Sequence, residues 1–102
     1  MSVKHRRWAL GHEAGCQMRL PDICQWMPTV GSHIRTGIRF GKGTGIKPGA
    51  TGNDLLMCLA CPACHDAYDG RLKTNFERDF MDLAWHEGLC ATLLLRKEED
   101  QL

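Results

Sequence analysis

The run Cys61-Pro62-Ala63-Cys64 constrains this chain more than any other stretch of it. Two thiols on one tight turn can share a metal, and a second, wider pair, Cys16 and Cys24, stands upstream. Two such pairs make a closed tetrahedral four-cysteine site, the usual arrangement of structural zinc. A closed site has no open coordination position, so its metal folds the chain rather than reacting. Cys58 offers a competing short pair with Cys61. Cys61 with Cys64 is preferred because Pro62 suits the first turn of a helix, where N–H groups help to neutralise thiolates. Cys58 and Cys90 are then expected to be free, buried, small hydrophobes.

With 102 residues the chain reads as one domain spanning residues 1–102,. A core of that size often needs a metal or disulfides beside it. The six cysteines could form disulfides in a secreted protein. Against that, residues 1–8 are basic and lack the apolar stretch of a signal peptide,. No apolar run is long enough to span a membrane,. The expected compartment is therefore the cytoplasm, where paired cysteines read as metal ligands. A net charge of +1 advertises no global attraction to nucleic acid. Its distribution is more informative. Lys4, His5, Arg6 and Arg7 read as a solvated surface, whereas Arg35, Arg39, Lys42 and Lys47 flank His33 and a glycine-rich stretch.

Local pattern predicts an α+β organisation. Residues 3–10 suit a short helix, and residues 16–20 alternate like a short strand that turns at Pro21-Asp22 into a metal-binding hairpin. Residues 29–34 are β-branched and strand-like, and carry His33. Residues 37–52, with Gly37, Gly41, Gly43, Gly45, Gly49 and Gly52, form a long loop, although no Gly-Lys-Ser/Thr nucleotide motif is present,. Residues 54–59 are apolar and extended. A helix over residues 62–69 is stopped by Gly70,. Asn75 is a suitable N-cap for a C-terminal helix with Phe76, Phe80, Leu83 and Ala84 as its buried stripe. Gly88 could bend or end that helix, and residues 90–95 continue it or switch to a strand.

His65 follows the last cysteine ligand and Asp69 lies one helical turn on. On a helix the i, i+4 spacing puts both side chains on one face, able to grip a cation such as Mg²⁺. Asp66 points away from that face. An imidazole such as His33 is a suitable general base for water, and Arg35, two residues on, could bind a phosphate. His5 and His12 lack a paired partner in the sequence, and His86, in the last helix, reads as a surface residue. Trp8, Trp26 and Trp85 read as core or edge packing. A structural zinc beside a separate His/Asp pair suggests a small metal-dependent nuclease.

The order of these motifs resembles the HNH-type, or His-Me finger, nucleases with a treble-clef zinc knuckle. More narrowly it is similar to the YbcO-like nucleases of lambdoid prophages. The matching stretches are Cys16-Gln17-Met18-Arg19-Leu20-Pro21 with Cys24, then Ser32-His33-Ile34-Arg35, Gly43-Thr44-Gly45-Ile46-Lys47-Pro48, Ala60-Cys61-Pro62-Ala63-Cys64-His65-Asp66, and Asp69-Gly70-Arg71. The resemblance implies a ββα-metal fold in which His33 polarises water and His65, with Asp69, binds a divalent cation that holds the scissile phosphate of DNA. Arg35 and Lys47 would contact phosphate. It also implies a bacterial or phage-infected host cell. Two residues depart from the pattern. Ser32 stands where an acidic or His metal ligand is usual, and the middle Asn has no counterpart at the family spacing. The competing expectation is a non-catalytic zinc module that binds nucleic acid through its basic middle segment.

Overall fold

The structure is a computed structural model and describes residues 7–34 and 56–101. The glycine-rich stretch and the proposed phosphate contacts Arg35 and Lys47 lie outside the described residues. Strands β1 (Val30–His33) and β2 (Met57–Ala60) are followed by helices α1 (Pro62–Asp69) and α2 (Arg78–Glu98). The result is a mixed α+β arrangement with a two-stranded antiparallel sheet, in which Val30 pairs with Ala60 and His33 with Met57. Residues 7–9 are helical, within the helix expected over residues 3–10.

Every residue of β2 is buried. The pleat sends alternate side chains to opposite faces, and each face meets its own apolar cluster. Cys58 and Ala60 join Met18, Leu20, Tyr68 and Trp85, while Met57 and Leu59 pack with Ala9, Trp8 and Leu95. The free edge of β2 is closed locally. Leu59 accepts a hydrogen bond from Gln17 N–H at 2.8 Å and donates its own N–H to Thr92 Oγ1 at 3.0 Å. Backbone groups in a core need such partners, and these two tie the cysteine-bearing loop and α2 to the same strand.

Residues 16–24 do not form the expected strand and hairpin; among the described residues this segment is irregular. Arg19 N–H is drawn to the Cys16 sulfur at 3.5 Å, Cys24 N–H bonds back to Leu20 O at 3.1 Å, and Arg19 and Asp22 take positive φ of 51° and 65°. The chain curls around its sulfur atoms instead of extending.

Helix α1 begins and ends where the sequence places it. Cys61 is the N-cap, Pro62 opens the first turn, and Gly70 closes the helix with φ 84°, its N–H bonded to Ala67 O. That left-handed conformation suits glycine. Helix α2 differs from expectation at its start and in its phase. Its N-cap is Glu77 and not Asn75. Its buried residues are Met81, Trp85, Gly88, Leu89, Thr92 and Arg96. The 3.6-residue period was legible, but the buried face is rotated by about one residue, or ~100°. Phe80 and Leu83 are exposed and, with Ala84, line an open groove of about 440 Å³ facing residues 17–21. Gly88 does not end the helix, which runs unbroken to Glu98. A Cβ there would lie 2.4 Å from Cys58 Sγ and 3.1 Å from Gln17 O, so its absence lets α2 lie against β2. Cys58 is buried as expected, whereas Cys90 is exposed on α2.

Candidate functional site

Cys16, Cys24, Cys61 and Cys64 converge, all four sulfur atoms lying within 4.8 Å of one another. Tetrahedral zinc–thiolate bonds of ~2.3 Å put sulfur atoms about 3.8 Å apart, so the donor set fits a metal with little movement. Backbone N–H groups already point at the sulfurs: Gln25 N–H donates to Cys61 Sγ at 3.3 Å, Cys64 N–H donates to Cys61 Sγ at 3.4 Å, and Arg19 N–H donates to Cys16 Sγ. Such donors favour the thiolate. The Cys64 hydrogen bond, aided by the Arg19 N–H and opposed by burial, pulls the Cys16 thiol down to about 4. The same bond, with burial, pushes Cys64 up, and burial is the main cause that raises Cys24. Cys58 takes no part. Its sulfur bonds to Leu59 O and faces Gly88, and burial pushes its thiol up. Among the described residues, the alternative pair Cys58 with Cys61 is thereby set aside.

The turn that presents Cys61 and Cys64 also sets His65. Its Nε2 lies 3.2 Å from Asp69 Oδ2, as the i, i+4 spacing requires, and both side chains are about three-quarters covered, with 23% and 25% exposed. Its Nδ1 lies 2.9 Å from Ser32 Oγ. Ser32 comes from β1 and is itself buried. Its backbone oxygen accepts a 3.0 Å hydrogen bond from Trp85 Nε1, and Trp85 stacks on Tyr68 of α1 at 5.5 Å between ring centroids. The residue reaching His65 from β1 is therefore Ser32. His33 is its neighbour on the alternate side of the strand pleat.

Arg71 completes the cluster. Its Nη2 lies 2.5 Å from Asp69 Oδ2 and 3.2 Å from His65 Nε2, and its Nε lies 3.7 Å from Asp66 Oδ1. The Asp69 hydrogen bond raises the guanidinium pKa further still. The turn at Gly70 brings Arg71 back over the last turn of α1, where Leu72 N–H bonds to Asp66 O at 3.0 Å. In the sequence Ser32 stands out as a departure at a ligand position and Arg71 only as a member of a motif, and the one local signal for Arg71 is the Gly70 turn. His12, read as lacking a partner, is paired: its Nε2 lies 2.9 Å from Glu99 Oε2, near the end of α2. That pairing spans most of the chain and has no local signature. Among the described residues, no helix is long and apolar enough to cross a membrane.

Comparisons with known proteins converge. Residues 3–101 match the family described as "Putative nuclease YbcO". Two relatives carry that description, one from Escherichia coli (strain K12) and one from Enterobacteria phage 82. Each is 45% identical to this chain over 69 residues, 65% of this chain and 62% of the relative. The match thus spans less than two thirds of those relatives. A solved structure described as a "putative bacteriophage protein" from Escherichia coli K-12 superposes with a TM-score of 0.70 at 27% identity, covering 95% of this chain and 100% of that one. With nearly its whole length matched, four cysteines brought together and His65 set beside Asp69, the chain belongs to the YbcO family of nuclease-like proteins.

Proposed function

We propose that this protein is a metal-dependent endonuclease of HNH type that hydrolyses phosphodiester bonds in DNA, built on a single treble-clef-like ββα-metal domain. The observation that carries the reading is the convergence of His65 and Asp69 on one face of α1, directly after a cysteine tetrad. The tetrad would hold structural Zn²⁺ through Cys16, Cys24, Cys61 and Cys64 and so fix the start of α1. His65 Nε2 and Asp69 Oδ2 would hold Mg²⁺ or another divalent cation. Such a cation, when bound, supplies a Lewis acid for a phosphoryl oxygen. His33, next to Ser32 at the end of β1, would have to turn toward that cation to take a proton from the attacking water. Ser32 orients the His65 ring through Nδ1, so that Nε2 faces Asp69. Arg35 and Lys47 would contact the phosphate backbone of the substrate. The thiolate site suits the reducing cytoplasm of a bacterial or phage-infected cell.

The test is cleavage of plasmid DNA by zinc-loaded protein with Mg²⁺ or Mn²⁺. His33→Ala should slow cleavage by about 10²- to 10⁴-fold while DNA binding persists. DNA binding without cleavage under any divalent cation, in wild type and variant alike, would replace this reading with a non-catalytic zinc module.

A further inference from the structure

We propose that Arg71 is a displaceable internal cation: it holds the divalent-cation position between His65 and Asp69 in the resting protein and, once displaced, contacts the substrate phosphate. The inference rests on the metal-dependent reading of this site and adds a residue to it.

The argument begins with donors and acceptors. His65 Nε2 and Asp69 Oδ2 approach to 3.2 Å. Arg71 Nη2 lies within hydrogen-bond distance of both. A guanidinium nitrogen has only protons to offer, so in the tautomer that makes this contact a hydrogen bond Nε2 accepts from it. The ring proton then sits on Nδ1 and is donated to Ser32 Oγ at 2.9 Å. In that arrangement Nε2 and Oδ2 are two acceptors converging on one point. Two acceptors so close repel unless a cation or shared donor lies between them, and Arg71 supplies it. The same two atoms are the ones a divalent cation would use.

Charge makes the two cations mutually exclusive. Asp66 and Asp69 carry two negative charges against the single positive charge of Arg71. Exchange for a dication leaves the immediate cluster balanced. A guanidinium and a dication cannot both sit within hydrogen-bonding distance of one carboxylate oxygen without strong repulsion. Exchange is also easy for the side chain, since Arg71 is 64% exposed and held by contacts on one side. Tethered by Gly70 to the end of α1, the released guanidinium stays beside the site. A planar fork of donors matches phosphate oxygens, and those oxygens are the negative charge that arrives with the substrate.

The experiment titrates zinc-loaded protein with Mn²⁺ alone, following free Mn²⁺ by its paramagnetic resonance signal, in wild type, Arg71→Ala, Arg71→Lys and His65→Ala. Removing the competitor should tighten Mn²⁺ binding by about tenfold in Arg71→Ala, because the open fraction of the site rises. Arg71→Lys should fall between. Binding of a short DNA duplex in Ca²⁺ should weaken several-fold in Arg71→Ala. If His65→Ala abolishes Mn²⁺ binding but Arg71→Ala leaves it unchanged or weaker, the displacement is wrong and the cation site stands. If Mn²⁺ binds wild type and His65→Ala alike, the cation site and this inference fall together. Tighter Mn²⁺ with unchanged duplex affinity removes the phosphate role. An unaltered thermal melt of Arg71→Ala confirms that the fold is not the cause.

Discussion

The cysteine tetrad and the His65–Asp69–Arg71 cluster share one short helix but are built on opposite principles. Three of the four sulfurs are buried, and two of them receive backbone N–H bonds from chain that is itself fixed to the sheet. The second cluster lies at the helix edge, and its contacts are made by side chains, one of them largely exposed. Backbone-held donors cannot be withdrawn without unfolding the loop that carries them. Side-chain contacts can be exchanged one for another. The difference separates a centre that keeps the fold from a centre that can take and release a ligand.

The harshest way to break the comparison is Cys61→Ser. Structural zinc contributes about 10–16 kcal/mol in small zinc modules, which matches or exceeds the whole stability of a typical domain, ~5–15 kcal/mol. The variant should lose both its zinc and its cooperative melt, read by metal analysis and calorimetry. Chelation of the wild type should do the same. A Cys61→Ser protein that keeps zinc and melts cooperatively would remove the tetrad from the account.

Acidity tests the same centre more gently. Cys64 and Cys24 are pushed above the ordinary thiol range, so near neutral pH they carry protons that a metal must displace. Binding therefore releases protons, and apparent zinc affinity rises with pH. Competition against a chelator at two pH values measures this, with proton release followed in weak buffer. Affinity that falls with rising pH, or no proton release, would contradict thiol coordination.

Gly88→Ala addresses the support shared by both centres. The new methyl group meets Cys58 Sγ at 2.4 Å and a backbone oxygen at 3.1 Å. Overpacking of this kind costs about 1–3 kcal/mol, visible as a lower denaturant midpoint. An unchanged midpoint would mean that α2 does not press on β2 there.

His65→Ala should then mark the contrast from the other side. It removes side-chain contacts with Ser32, Asp69 and Arg71 and leaves the buried Ser32 hydroxyl without its partner, so stability should fall by about 1–3 kcal/mol, far less than for Cys61→Ser, while cation-dependent behaviour is lost. A collapse of the melt comparable to Cys61→Ser would erase the distinction between the two centres. Cys90→Ser, at an exposed helix position, should be the mildest, within about 0.5 kcal/mol.

The chain alone determined what could be written locally. Pro62 at a helix start and Gly70 just past its end fixed α1 to the residue, since proline's locked φ and glycine's access to positive φ act over a few bonds. The strand carrying His33 and the pairing of His65 with Asp69 were legible for the same reason: period and spacing are properties of neighbours. The choice among five candidate cysteines rested on a similar local argument, and the tertiary structure supported it by turning Cys58 toward Gly88. What only the tertiary structure decided is what depends on distant partners. The buried face of α2 holds Gly88, Thr92 and Arg96, which hydropathy counts against burial, because Cys58, Leu59 and Trp8 receive them there. The aromatic stripe at Phe80 is apolar without being inside. Ser32 meets His65 across 33 residues and His12 meets Glu99 across 87, and such contacts leave no periodic trace. They exist because the sheet, the sulfur-centred loop and two helices close on one another, and that closure is a property of the whole fold.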